Sequence, residues 1–177
     1  MDKNKEIKRI SSIAINKDGK LKTIAEQYSD YLNGRFKPYD FMVAKIDSKG
    51  FDYFNIDSNL LIVIRQSVIE KIFRESKINK HGHGDSIDIT IVEEVFNHPE
   101  KIIYVIKNNY DNYAFIFDIK DKKNNYVLVA MNASKDINRR FEVNDITSIY
   151  GKYNLEEYIN YCDSNNNYII KKVNSVN

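Results

Sequence analysis

Cysteine is nearly absent: Cys162 stands alone among 177 residues. That excludes an internal disulfide framework, and without a Cys/His cluster at finger spacing the usual structural zinc is excluded too. A chain of this length buries enough surface to fold without such staples. No apolar run approaches the roughly 20 residues of a spanning helix, and the start, Met1-Asp2-Lys3-Asn4-Lys5, has no apolar leader core. The expectation is a cytoplasmic protein in a reducing compartment, with no membrane partner. No glycine-rich phosphate loop of the Walker or dinucleotide type occurs, so nothing supports nucleotide-dependent group transfer, and no cofactor is expected. Tryptophan is missing beside 13 tyrosines and 9 phenylalanines, a compositional bias with no functional weight residue by residue. Charge of one sign is also scarce. The net charge is +2, too small to advertise a nucleic-acid partner by field alone. Residues 1–37 hold nine Lys/Arg against five Asp/Glu, which is either a local phosphate-attracting face or simply a solvated lysine-rich surface.

What is present reads as α+β. Leu21, Ile24, Ala25, Tyr28 and Leu32 recur at helical spacing up to Gly34, which is placed to cap the helix end. Asn16-Lys17-Asp18-Gly19 signals a turn, preceded by an element over Ile7 to Ile15 that periodicity does not assign. Pro38 breaks the pattern, and Phe41 to Ile46 and Phe51 to Ile56 read as extended. Asn59 to Ile64 reads as a buried strand feeding a helix whose capping box is Ser67 to Glu70. A second box, Thr90 to Glu93, opens a short helix closed by Pro99. Lys101 to Ile106, Tyr113 to Ile119 and Tyr126 to Met131 form an antiparallel meander. A loop over Asn132 to Arg140 leads to a strand from Phe141 to Tyr150, with a possible bend near Asn144-Asp145. Asn154 caps a helix bearing Leu155, Tyr158, Ile159 and Cys162, and Tyr168 to Val173 is a last strand.

The ordered features from Leu61 to Val173 carry a resemblance. An apolar strand enters the Gln66-Ser67-Val68-Ile69-Glu70-Lys71 helix, a Lys80-His81-Gly82 step follows, and a short helix runs to Asn97-His98-Pro99-Glu100-Lys101-Ile102-Ile103. Three β-runs then precede Asn144-Asp145-Ile146-Thr147-Ser148-Ile149-Tyr150-Gly151-Lys152, which looks like an Asn-x-Ile-x-Ser-hydrophobic-Tyr-x-Lys signature. In this order they resemble the C-terminal domain of MuF-type phage minor head proteins, in the phage-associated branch of the barnase, EndoU, colicin and RelE nuclease fold. The resemblance implies helices packed on one face of a curved antiparallel sheet over 57–177, with 1–56 as an N-terminal accessory segment. It also implies a metal-independent endoribonuclease-like or RNA-binding effector of phage or mobile-element origin. In that chemistry the ribose 2′-hydroxyl attacks the adjacent phosphate, so the protein must move two protons and support a dianionic transition state. Without a full Glu/Arg/His set, the same fold is also compatible with an inactive module that binds a protein partner or cognate inhibitor.

The candidate residues follow. His81 matches the His-Gly step, and His83 fits it after a shift of two. Either would transfer protons, although a polar surface loop, or a metal site with Asp85, reads the same residues differently. His98 reads as structural. Ser148, Tyr150 and Lys152 fall on one face of an extended segment, together with Ile146, so Thr147 joins them only through a bend or bulge. Ser148 and Tyr150 are the catalytic candidates there. Thr147, Lys152, Arg139 and Arg140 are the candidates to hold a phosphate, with a solvated loop as the other reading of the arginines.

Overall fold

The computed structural model describes residues 3–46, 49–73, 87–137 and 141–174. In chain order the elements are α1 (Lys3–Ile10), α2 (Ile24–Leu32), β1 (Phe41–Ala44), α3 (Lys49–Asp52), β2 (Ile62–Arg65), α4 (Gln66–Phe73), α5 (Ile89–Asn97), β3 (Ile102–Asn108), β4 (Asn112–Lys120), β5 (Tyr126–Ile137), β6 (Phe141–Lys152), α6 (Leu155–Asp163) and β7 (Tyr168–Lys172). The strands form one seven-stranded sheet in the order β1-β2-β6-β5-β4-β3-β7. Its pairs are antiparallel except β2 with β6, which run parallel.

Alternation along the strands gives the sheet two buried faces. On the front, Met42, Ile62, Ile64, Phe115, Phe117, Val129, Ile146 and Ile149 meet Ile24 of α2, Phe51 of α3, Val68 and Ile69 of α4, and Val92, Val95 and Phe96 of α5. On the back, α1 lays Ile7 and Ile10 on Phe41, Val43, Val63 and Val143. Farther along that face α6 covers Ile103, Ile106, Ile116 and Leu128 with Cys162, Leu155 and Tyr158. The α+β class therefore holds, while the expected arrangement, helices on one face of a curved antiparallel sheet, is overturned. Helices cover both faces and the sheet is mixed. The physical reason is that β3 to β6 are apolar on both sides, as in Ile102-Ile103 and Phe115-Ile116-Phe117, so a single helical layer would leave one face in water.

Helix ends follow local chemistry. Thr23 and Glu26 form a reciprocal capping box at α2: Glu26 N–H donates to Thr23 Oγ1 at 3.1 Å and Thr23 N–H to the Glu26 carboxylate at 2.8 Å. Gly34, at φ 68°, ends it. The two boxes read from the sequence are replaced. Ser67 lies inside α4, and α5 starts at the cap Asp88, whose carboxylate accepts Ile91 N–H at 3.0 Å. Glu93 instead accepts Ala25 N–H at 2.8 Å, tying α5 to the first turn of α2. Phe51 sits in the short helix α3 rather than in an extended piece. The Asn132 to Arg140 loop is also corrected, because β5 continues to Ile137.

β1 is an edge strand, and the fold covers its edge with a side chain. Gln27, fully buried, accepts Val43 N–H at 2.7 Å and donates to Val43 O at 2.8 Å and Lys22 O at 2.9 Å. A carboxamide thus completes the ladder as a further strand would. Gln27→Ala leaves these backbone groups without partners in a dry site, and an orphaned buried group costs about 1–3 kcal/mol. Urea unfolding of this variant is expected to show a loss of about 2–4 kcal/mol; a loss under about 0.5 kcal/mol would mean water replaces the amide.

Two paired carboxylates, Asp30 and Asp88, add stability that acid removes. Desolvation opposes the charge on Asp30, but hydrogen bonds and attraction from Lys22 and Arg35, each at 2.7 Å, outweigh it and hold its carboxyl below the usual carboxylate range. Asp88 is likewise desolvated, yet Ile91 N–H and Lys122 pull its pKa down. A folded pKa below the unfolded one stabilises above the unfolded value, about 3.9, and that contribution fades as pH falls through the folded value. The urea midpoint should be flat from neutral pH to about 4.5 and fall below about 4. Asp30→Asn should flatten part of that fall.

Candidate functional site

The back face is not covered throughout. Between α1 and α6 the strands present small or polar side chains. Register alignments put Asp145 opposite Asn132, Asn132 opposite Asn112, and Ser148 opposite Ala130, which is itself opposite Ala114. The set depends on a β-bulge. Ala130 pairs with Ser148 and Met131 with Ile146, so Thr147 has no residue opposite it. The bulge reverses the parity of β6. Ile146 and Ile149 both reach the front core, whereas Ser148 and Tyr150 fall on the back. The expectation that Ile146 shares a face with Ser148, Tyr150 and Lys152 is corrected by this one inserted residue.

At the α1 side of the strip lies an open cleft of about 540 Å³, lined among others by Pro38, Tyr39, Phe41, Arg65, Lys135 and Asp145. Asp145 is its fixed point. Its carboxylate is buried, 2% exposed, and receives Arg65 through Nε at 3.3 Å and Nη2 at 3.1 Å, and Lys135 Nζ at 3.1 Å. A carboxylate this buried is tolerable because it is paired. Arg65 and Lys135 are themselves about half exposed, at 47% and 43%. A guanidinium carries five N–H donors and an ammonium three, so the pair, held by Asp145, has donors left over at the edge of the cleft. Asn144 stiffens the same place: its amide donates to Asp57 O at 3.0 Å and its oxygen accepts Ser134 N–H at 3.1 Å, where the chain passes through φ 50°. Among the described lining residues two cations face three carboxylates, Asp40, Asp136 and Asp145, a formal balance of −1, so bulk charge does not draw an anion into the cleft. Anion recognition there depends on placed donors rather than on bulk charge.

At the α6 side, Tyr150 packs with Tyr158, and Lys152 Nζ lies 4.2 Å over the Tyr158 ring. Burial raises the phenol pKa of both tyrosines, that of Tyr158 more strongly, with Cys162 and Tyr150 adding to it. Burial also raises the Cys162 thiol. Phenols held neutral in this way donate hydrogen bonds and stack; near neutral pH they are poor bases.

Ser148, Tyr150 and Lys152 thus share one face. Thr147 is occupied otherwise, its hydroxyl donating to Ala130 O at 3.3 Å and its carbonyl accepting Lys71 Nζ at 3.4 Å. His81, His83, Arg139 and Arg140, with Asp85, lie outside the described residues. The described neighbours of the histidine segment, Phe73 and Ile87, belong to the front core, on the other side of the sheet from Ser148. Those of the arginine pair, Ile137 and Phe141, pack on the back, and Ile137 lines the cleft. His98 bonds Glu100 at 2.7 Å on the surface. Sequence reading missed Arg65, Lys135 and Asp145. The available signal was Asp145 itself, a charge between Val143 and Ile146 in an apolar strand, which demands a partner.

No protein-family model, no curated protein and no solved structure matches this chain. The resemblance to phage nuclease-like domains therefore rests on the quoted motifs.

Proposed function

We propose that this chain is an RNA-binding, ribonuclease-like effector of the phage or mobile-element kind, and that RNA lies along the back face of its sheet. The observation carrying this reading is the Arg65-Lys135 pair held by buried Asp145 at one end of a strip that also bears Ser148, Tyr150 and Lys152. Fixed donors suit a phosphodiester, and neutral phenols suit bases, because aromatic faces stack on every base while cations track the backbone. If the reaction is retained, the 2′-oxygen bonds to the adjacent phosphorus as the 5′-oxygen leaves with a proton, giving a cyclic phosphate with no metal required. No described helix is long and apolar enough to cross a membrane.

Purified protein incubated with total RNA, with and without chelator, tests the reading. Retention at low salt that weakens as salt rises is expected, and any cleavage should be indifferent to chelator. RNA neither bound nor cut over a wide protein range would end it. A second reading, an inactive protein-interaction module, is favoured by Tyr39 at the cleft rim. It is 91% exposed and held at φ 74°, a large aromatic displayed rather than buried. One stoichiometric protein partner, resistant to nuclease and lost with Tyr39→Ser, would support that module.

A further inference from the structure

Three asparagines line up across the back face. Asp145 pairs with Asn132 and Asn132 with Asn112; Asn108 follows the Lys107–Tyr113 pair on β3 and itself pairs with Tyr168 of β7. With strands about 4.8 Å apart, the row from Asp145 to Tyr168 crosses four spacings, roughly 19 Å. Asparagine is disfavoured in strands. The Asn132 and Asn112 carboxamides make no side-chain hydrogen bond among the described residues. Asn108 uses only its oxygen, which accepts Tyr110 N–H at 2.9 Å and Asn112 N–H at 3.2 Å.

Beside the row is a pocket of about 180 Å³ with Ala114 and Ala130 in its lining, where small side chains leave room, and Tyr150, Tyr158 and Tyr168 around it. Asn108 and Asn112 open onto the same space. The volume suits one planar heterocycle. Burial raises the pKa of all three phenols, so the lining stays uncharged and does not repel a polyanion. A carboxamide offers one donor and one acceptor side by side, which matches the amino and ring-nitrogen edge of adenine bidentately.

We propose that this pocket takes a single unstacked adenine of single-stranded RNA, stacked on the tyrosines and read by Asn112, while Asn132 leads the strand toward the Arg65-Lys135 grip. The inference rests on the RNA reading above and adds to it a base preference and the residues that set it.

Fluorescence anisotropy of the full chain with labelled eight-nucleotide oligoadenylate, oligouridylate and oligocytidylate tests it, alongside the double variant Asn112→Ala, Asn132→Ala. A bidentate contact discriminates by on the order of tenfold. The native chain should prefer oligoadenylate by about that factor, and the variant should bind oligoadenylate and oligouridylate alike, with its salt dependence and melting temperature as in the native chain. If RNA binds without base preference, or the preference survives the double variant, the base pocket is wrong and the RNA reading stands. If neither the oligonucleotides nor total RNA bind, both fall together.

Discussion

Phe51→Ala should lower stability by about 3–5 kcal/mol, the usual cost of deleting a buried aromatic ring. In a chain of this size that is a fall of about 6–20 °C in melting temperature. Phe51 is 2% exposed and its ring lies 5.1 Å from that of Phe115 in the middle of β4. It belongs to the first third of the sequence, yet it fills the front core together with Val95, Phe117 and Ile146. If that core is one cooperative unit, the loss appears as a single shifted transition, and amide exchange in β4 and β5 quickens together with that in β1. A loss under about 1 kcal/mol, or a separate early transition confined to residues 1–56, would show that the N-terminal segment is an accessory layer after all.

Replacing both Arg65 and Lys135 by glutamine should weaken RNA binding by on the order of tenfold or more, since charge-assisted hydrogen bonds are the strong ones. The salt dependence is the sharper signature. Each phosphate contact to a single strand contributes about 0.7 to the slope of log affinity against log salt, so the double change should reduce that slope by about 1.4. Because it also strips buried Asp145 of its cations, Lys135→Gln alone is the companion: the Arg65 fork remains and the slope should drop by about 0.7. An unchanged slope in both variants would mean that the cleft does not hold phosphate.

Much of the local structure was legible in the sequence and almost none of the long-range pairing. The β3-β4-β5 meander follows from alternation and short polar connections, and α2 from its apolar spacing and the glycine that ends it. Ser148, Tyr150 and Lys152 share a face because their spacing is two. The helical period of α6 gives its apolar side but not which side of the sheet receives it, and the one-sided arrangement came only from the resemblance to phage nuclease-like domains. Asn132 to Asp136 looked like a loop because the strand there is polar on a face no helix covers. The bulge at Thr147 has no composition of its own. Arg65 and Asp145, 80 positions apart, meet only because β2 and β6 run parallel, and that pairing leaves no local trace. The cleft is made of such contacts, so it exists only in the folded chain.

The claim that RNA lies on the back face is tested most directly by following the side-chain amide signals of Asn112 and Asn132 in a nuclear magnetic resonance titration with oligoadenylate. These groups project from one side of the sheet only, so they report which side is occupied. Progressive, saturable shifts of both are expected, with the front-core methyls of Val92, Val95 and Ile69 unmoved. Saturation of binding with those amides unchanged and the front-core signals shifted would contradict it.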